Sequence, residues 1–69
     1  MSRYNAQVMG NEIKKVRKAR KLSQDNLARY AGIDRSYMGR IERGQVNVTV
    51  KLAYQIAEVL GCPVNKILP

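Results

Sequence analysis

Ile33-Asp34-Arg35-Ser36-Tyr37-Met38-Gly39-Arg40-Ile41-Glu42-Arg43-Gly44 is the stretch on which the reading of this chain turns. Asp34 can accept hydrogen bonds from first-turn N–H groups and so predicts a helix N-cap. Ile33 and Met38 then occupy N′ and N4, the spacing of a hydrophobic staple. Gly44 offers the left-handed residue that closes a helix C-terminus. The stretch therefore predicts a helix over about 35–43. At about 100° per residue, Met38 and Ile41 fall on one side and Ser36, Arg40 and Arg43 on the other. Arg35 lies in the first turn, beside the N-terminal end. Two or three apolar residues opposite arginines and a hydroxyl suit a helix half-sunk in a core. Its free face would meet something anionic, and the major groove of DNA is the expectation.

Immediately upstream, Leu22-Ser23-Gln24-Asp25-Asn26-Leu27 repeats the entry pattern. Ser23 caps, Leu22 and Leu27 form the staple, and Asp25 is an acid in the first turn, where the helix dipole favours it. Asn26 replaces the Glu or Gln of a full capping box. A helix over about 24–31 follows, burying Leu27, Ala28 and Ala31 and ending at Gly32. Almost no linker separates Gly32 from the Asp34 cap. Two short helices joined by a tight glycine turn form a helix-turn-helix, with the second helix presented outward. A small residue at Ala28 lets the two helices cross closely.

Further out, Met9, Ile13, Val16 and Arg20 follow helical steps, predicting a first helix over about 9–21. Its lysines lie off or beside that stripe, and those near its end complement the helix dipole. Residues 1–8 carry no periodicity and read as a flexible tail. Residues 9–69 then form the single folded domain. Beyond Gly44, Gln45 to Thr49 is a loop, and Thr49 is a fair N-cap for a helix over about 50–60. Leu52, Ala53, Ile56, Ala57 and Leu60 give that helix a stripe wide enough to lie on a core. Gly61 closes it, and Pro63 suits the first position of a final short helix containing Val64, Ile67 and Leu68. Every segment reads as helix and none as strand, an all-α chain.

Thirteen Lys and Arg against five Asp and Glu give a net charge of +8 over 69 residues, which points to a polyanionic partner. No stretch approaches the ~18 apolar residues of a membrane-crossing helix, and no leader pattern begins the chain. The expectation is a cytoplasmic protein with no membrane role. Histidine is absent and Cys62 is the single cysteine, so neither a metal nor an internal disulfide is expected, and no cofactor motif is present. Cys62 reads as a small, partly buried apolar residue.

Leu22-Ser23-Gln24 through Leu27-Ala28, then Ala31-Gly32-Ile33 and Ile41-Glu42-Arg43-Gly44, in that order and spacing, resemble the Cro/phage-repressor type of helix-turn-helix family. The resemblance covers roughly residues 9–68. It implies a five-helix repressor-like DNA-binding domain. Within the family, Asp34-Arg35-Ser36-Tyr37, Glu42-Arg43-Gly44 and Asn47-Val48-Thr49 resemble the controller proteins of restriction–modification systems, small dimeric regulators that time endonuclease expression. The function so implied is a sequence-specific transcriptional regulator, a homodimer on an inverted-repeat operator in double-stranded DNA, with RNA polymerase as a further partner. A phage-type repressor, or an antitoxin of this fold with a protein partner, is the alternative.

Arg35 is the leading candidate for base reading, because a guanidinium in the first turn can donate a bidentate pair to guanine O6 and N7. Ser36 and Arg40 share its outward face. Tyr37 sits at the margin of the buried stripe, where its hydroxyl could reach a phosphate or a base. Ser23 and Gln24 open the second helix, where backbone N–H groups favour an anion and family members use the glutamine amide to grip phosphate. Arg43, Asn47 and Thr49 flank the turn after Gly44 and are candidate phosphate contacts that set register. Gly39 either permits close approach to the sugar–phosphate backbone or is merely tolerated.

Family members pair an arginine of the first helix with the glutamate at Glu42, and Arg17 occupies the matching position, which implies a structural ion pair. Tyr54 projects away from the stripe of its helix. With Val59, Val64 and Ile67 it is candidate dimer-interface material, against the reading that the apolar residues only complete the monomer core. The five carboxylates (Glu12, Asp25, Asp34, Glu42 and Glu58) mostly have capping or pairing roles. With no histidine to act as base and no glycine-rich phosphate cradle, the pattern argues against an enzyme.

Overall fold

Every described α-helix opens on a side chain that accepts a hydrogen bond from its own first turn. Asn5 accepts from the N–H of Val8 at 3.1 Å, Ser23 from Asn26 at 3.0 Å, Asp34 from Ser36 and Tyr37 at 3.0 and 3.3 Å, and Thr49 from Leu52 at 3.1 Å. These caps satisfy donors that a helix start otherwise leaves unpaired. In the computed structural model, which describes residues 5–68, they launch α1 (Ala6–Ala19), α2 (Gln24–Ala31), α3 (Arg35–Glu42) and α4 (Val50–Leu60). A single 3-10 turn, Val64–Lys66, follows, and no strand occurs among the described residues.

The bounds of α2 and α4 are those expected, and three other expectations are corrected. First, α1 starts at Ala6 rather than Met9, because apolar periodicity begins at Met9 whereas the Asn5 cap lies a turn earlier. Residues 6–8 of the expected tail are thus helical, and residues 1–4 lie outside the described residues. Second, α1 stops at Ala19. Lys21 takes a left-handed conformation (φ 60°), and the N–H of Leu22 reaches back to the Arg17 carbonyl at 3.1 Å. Glycine usually holds such a position, so nothing in the sequence marked this stop. Third, four helices and a 3-10 turn replace the expected five. Gly61 turns left-handed and Pro63 is extended, leaving only Val64–Lys66 before Ile67 drops into the interior. α3 itself ends at Glu42, with Arg43 as its cap.

The core is drawn from every element: Met9, Ile13 and Val16 of α1, Leu27, Ala28 and Ala31 of α2, Met38 and Ile41 of α3, Ala53, Ile56, Ala57 and Leu60 of α4, and finally Ile67. α3 packs against both α1 and α2, and α2 also packs on α4. The radius of gyration, 10.7 Å, agrees with the roughly 11 Å expected of one domain this long. A domain this small buries a modest core. Truncating one of its fully buried leucines or isoleucines would cost about 2–5 kcal/mol, a large part of any domain's stability.

Two contacts fix where α1 stands, one on α3 and one on α4. Gly10 lies buried where α1 crosses α3, and a methyl group there would fall on the Ile41 carbonyl oxygen and lie 2.8 Å from that of Glu42. A glycine inside a helix costs about 1 kcal/mol relative to alanine, and here that cost permits backbone-to-backbone approach. At the other end of α1, Arg20 is exposed rather than part of the apolar stripe. Its Nε donates to the Leu60 carbonyl at 2.7 Å, closing the C-terminus of α4 where a cation is favoured.

Candidate nucleic-acid interface

Along α3 the sequence alternates between what the core needs and what it leaves outside. Met38 and Ile41 are wholly buried, which anchors the helix inward and turns Arg35, Ser36 and Arg40 to the exterior. Tyr37 stands between, half-buried, with its ring against the core. The four positions expected to face base pairs therefore divide into three fully outward and one marginal. Gly32, left-handed with φ 70°, makes the turn from α2 tight enough for the Ile33 N–H to reach the Ala28 carbonyl at 2.8 Å. Both helices of the pair are thereby presented at fixed relative orientation.

Beneath α3 lies an ionic cluster. Arg17 donates from Nε to Glu42 Oε2 at 2.7 Å and from Nη2 to Oε1 at 3.1 Å, the fork geometry that carboxylates accept best. Its Nη1 donates to the Leu22 carbonyl at 2.9 Å, tying the turn before α2 into the same network. The two side chains are only 9% and 2% exposed. Burial of both charges is tolerable because each is hydrogen-bonded, and no side-chain polar atom buried among the described residues lacks a partner. Arg17 is thus the bolt joining α1, the α1–α2 turn and α3.

Gln24 belongs partly to this cluster. Its Nε2 donates to Glu42 Oε1 at 3.0 Å, and a methyl at Gly39 would sit 3.4 Å from its Oε1. The amide expected to grip a phosphate is therefore half-buried and hydrogen-bonded to the protein. Gly39 is buried at the α2–α3 crossing, where a methyl would also sit 3.1 Å from Arg43 Nη1. Both neighbours are side-chain ends rather than backbone, so the site is snug without demanding a glycine.

The remaining phosphate candidates are exposed. Ser23 and Thr49 each use a hydroxyl oxygen to cap a helix, which leaves the O–H free to donate outward. Asn47 is exposed in the loop before α4, and Arg43, also exposed, donates from Nε to Gln45 at 3.3 Å. Gly44 has φ 74°, and a methyl there would lie 2.7 Å from the Gln7 Cα, so the turn seats this loop against α1. At the outer edge of α3, Arg35 pairs with Asp25 of α2, Nε to Oδ1 at 3.0 Å, with both side chains largely exposed.

Among the candidate interface residues, Tyr54 is 58% exposed, and Val59 and Val64 are half-buried. Ile67 is corrected: it is fully buried and completes the monomer core, so it offers a second protomer no surface. Cys62 is half-buried and free. Tyr54, Glu58, Cys62, Pro63 and Val64 line one open groove at this end. The Asp25–Arg35 pair, the Gln24–Glu42 bond and the approach at Gly10 were all missed in sequence. Of these only Gly10, a glycine mid-helix, carried a local signal. No described helix is long and apolar enough to cross a membrane, and no group of metal-binding side chains occurs among the described residues.

A family model described as helix-turn-helix matches residues 13–67. Among curated proteins, the chain is 40% identical over 60 residues to an immunity repressor of Bacillus phage phi105, covering 87% of this chain and 42% of the repressor. It is 32% identical over 62 residues to the control protein C.SmaI of Serratia marcescens, covering 90% of this chain and 74% of that protein. The chain therefore spans less than half of the repressor but most of the control protein. Among solved structures, the restriction–modification controller protein C.AhdI of Aeromonas hydrophila superposes with a TM-score of 0.87 at 35% identity, over 90% of this chain and 94% of that one.

Proposed function

The chain belongs to the helix-turn-helix family of DNA-binding transcription regulators, and from that premise we propose that it acts as a homodimeric restriction–modification controller reading an inverted-repeat operator. The observation that carries this reading is the split along α3: Met38 and Ile41 sunk in the core, Arg35, Ser36 and Arg40 standing free of it. In this reading α3 enters the major groove, and Arg35 donates to a guanine while Ser36, Tyr37 and Arg40 contact neighbouring edges. Ser23, Arg43, Asn47 and Thr49 hold the phosphates on either side and set the register, and Gln24, with one amide N–H already on Glu42, adds the other. The exposed amide of the turn, the hydroxyls and the arginine make that clamp without reading sequence.

One module of this size covers only a few base pairs, so useful selectivity needs a twofold partner. The interface we assign to it is the α4 end of the molecule, with Tyr54, Val59 and Val64. Two α3 helices would then lie in successive major grooves about 34 Å apart. The protein acts in the cytoplasm by binding rather than catalysis, setting the access of RNA polymerase to the promoter it covers. The 40% identity to the immunity repressor favours a phage-type repressor module as the second reading.

Footprinting on DNA upstream of the protein's own gene, with neighbouring genes noted, tests both. A protected twofold repeat beside endonuclease and methyltransferase genes supports the controller. The same repeat among phage genes supports the repressor. Sedimentation that finds a monomer at micromolar concentration, and a single protomer on the DNA, rejects the dimer.

A further inference from the structure

Asp25 and Arg35 form the exposed counterpart of the buried cluster. Arg35 Nε lies 3.0 Å from Asp25 Oδ1, and Nη1 donates to Oδ2 at 3.4 Å, with the side chains 73% and 54% exposed. A pair this open adds little to folding stability. Its effect is instead on where a long side chain spends its time. The carboxylate had a second choice of cation. Arg29 lies one turn along the same helix, the spacing at which an acid followed by a cation pairs well, and it lines the same shallow groove with Ala28 and Ile33. The carboxylate nonetheless reaches across the turn to α3 and takes Arg35.

We infer that Asp25 is a specificity-determining positioning residue for Arg35. The inference rests on the proposal that Arg35 faces base pairs. With one N–H of Nη1 donating to Asp25 and Nε close beside the carboxylate, the guanidinium keeps Nη2 and the second N–H of Nη1 for a bidentate contact. The side chain is held before DNA arrives, so less freedom is lost on binding the matching base. The carboxylate also works against the wrong target. It offsets the guanidinium charge and sits at the N-terminal turn of α2, where phosphates would approach, so Arg35 is discouraged from settling on any phosphate within reach. Preference between sequences rises through both effects, while affinity for arbitrary DNA falls.

The test uses the full chain and a duplex selected by the unmodified protein from a random pool, together with variants of that duplex changed at one base pair at a time. Arg35→Ala should abolish the preference at one base pair of each half-site. Asp25→Asn should lower the preference at that same base pair about tenfold, within the range one arginine–guanine contact supplies. It should also tighten binding to random duplex and steepen the salt slope by up to about one unit, as an added net charge requires. Asp25→Glu, which can still reach the guanidinium, should restore most of the preference. In the Arg35→Ala background, Asp25→Asn should change the preference less than twofold. Thermal melting checks that each variant folds, and the Asp25→Glu variant keeps the test open if Asp25→Asn does not. An unchanged preference in Asp25→Asn, with Arg35→Ala still defective, overturns the positioning role and leaves the base-reading proposal standing. An equal loss in both backgrounds of the preference for the selected duplex over random duplex also overturns it, since Asp25 would then act without Arg35. An unaffected Arg35→Ala overturns the base-reading role itself.

Discussion

Arg17 with Glu42 and Arg35 with Asp25 are the same chemical pair set at two depths of one helix pair, the first beneath the inner end of α3 and the second at its outer edge. At the inner end both charges are out of water, four hydrogen bonds converge on them, and neither side chain can leave without stranding the other. At the outer edge water shares the charges, so the pair biases a conformation without holding the fold together. Depth alone converts one interaction from scaffold to instrument. An arginine's role in such a domain follows from its partner's burial rather than from its own chemistry.

The largest effect is expected at the inner pair. Glu42→Ala leaves a buried guanidinium unpaired and should destabilise the domain by about 3–5 kcal/mol. Urea denaturation would measure it, and a loss below about 1 kcal/mol would place this pair with the outer one. Next comes Gly10→Ala. In an ordinary helix interior this substitution gains about 1 kcal/mol. Here the added methyl meets the α3 carbonyls, so a loss of about 1–3 kcal/mol is expected. A rise in melting temperature would show that α1 and α3 can part without cost.

At the outer edge the expected effects move from folding to binding. Arg35→Ala should leave stability within about 0.5 kcal/mol, while discrimination of the cognate base falls by about 1–3 kcal/mol. Weak, salt-sensitive binding should remain. Titration of cognate and random duplexes separates the two, and equal losses on both would put Arg35 among the phosphate contacts. The smallest effect belongs to Arg43→Gln. It should weaken binding to all sequences alike and flatten the salt slope by about one unit. A change in sequence preference would move Arg43 into the reading set.

Much of the fold was legible because its signals are local. Asp34, Ser23 and Thr49 announced their helices by cap chemistry, and Gly32, Gly44 and Gly61 announced the stops, all of which the backbone follows. Where a stop used an unconventional residue, as at Lys21, the boundary slipped by two residues. The site was legible to the extent that helical periodicity separates Met38 and Ile41 from Arg35, Ser36 and Arg40. The Arg17–Glu42 pair was legible only through resemblance. Asp25 and Arg35 are ten residues apart on different helices, and Gln24 and Glu42 eighteen apart. No periodicity within one helix encodes where a neighbouring helix places its side chains. Ile67 was misread for a related reason: an apolar residue near a chain end looks the same whether it faces a partner or its own core.

The division along α3 also bears on how such proteins diversify. Met38, Ile41 and Glu42 are held by the interior, so exchange at those positions is paid in stability. Arg35, Ser36 and Arg40 owe the interior nothing. If α3 reads DNA as proposed, a lineage can rewrite those three letters one at a time and acquire a new genomic address on an unchanged chassis.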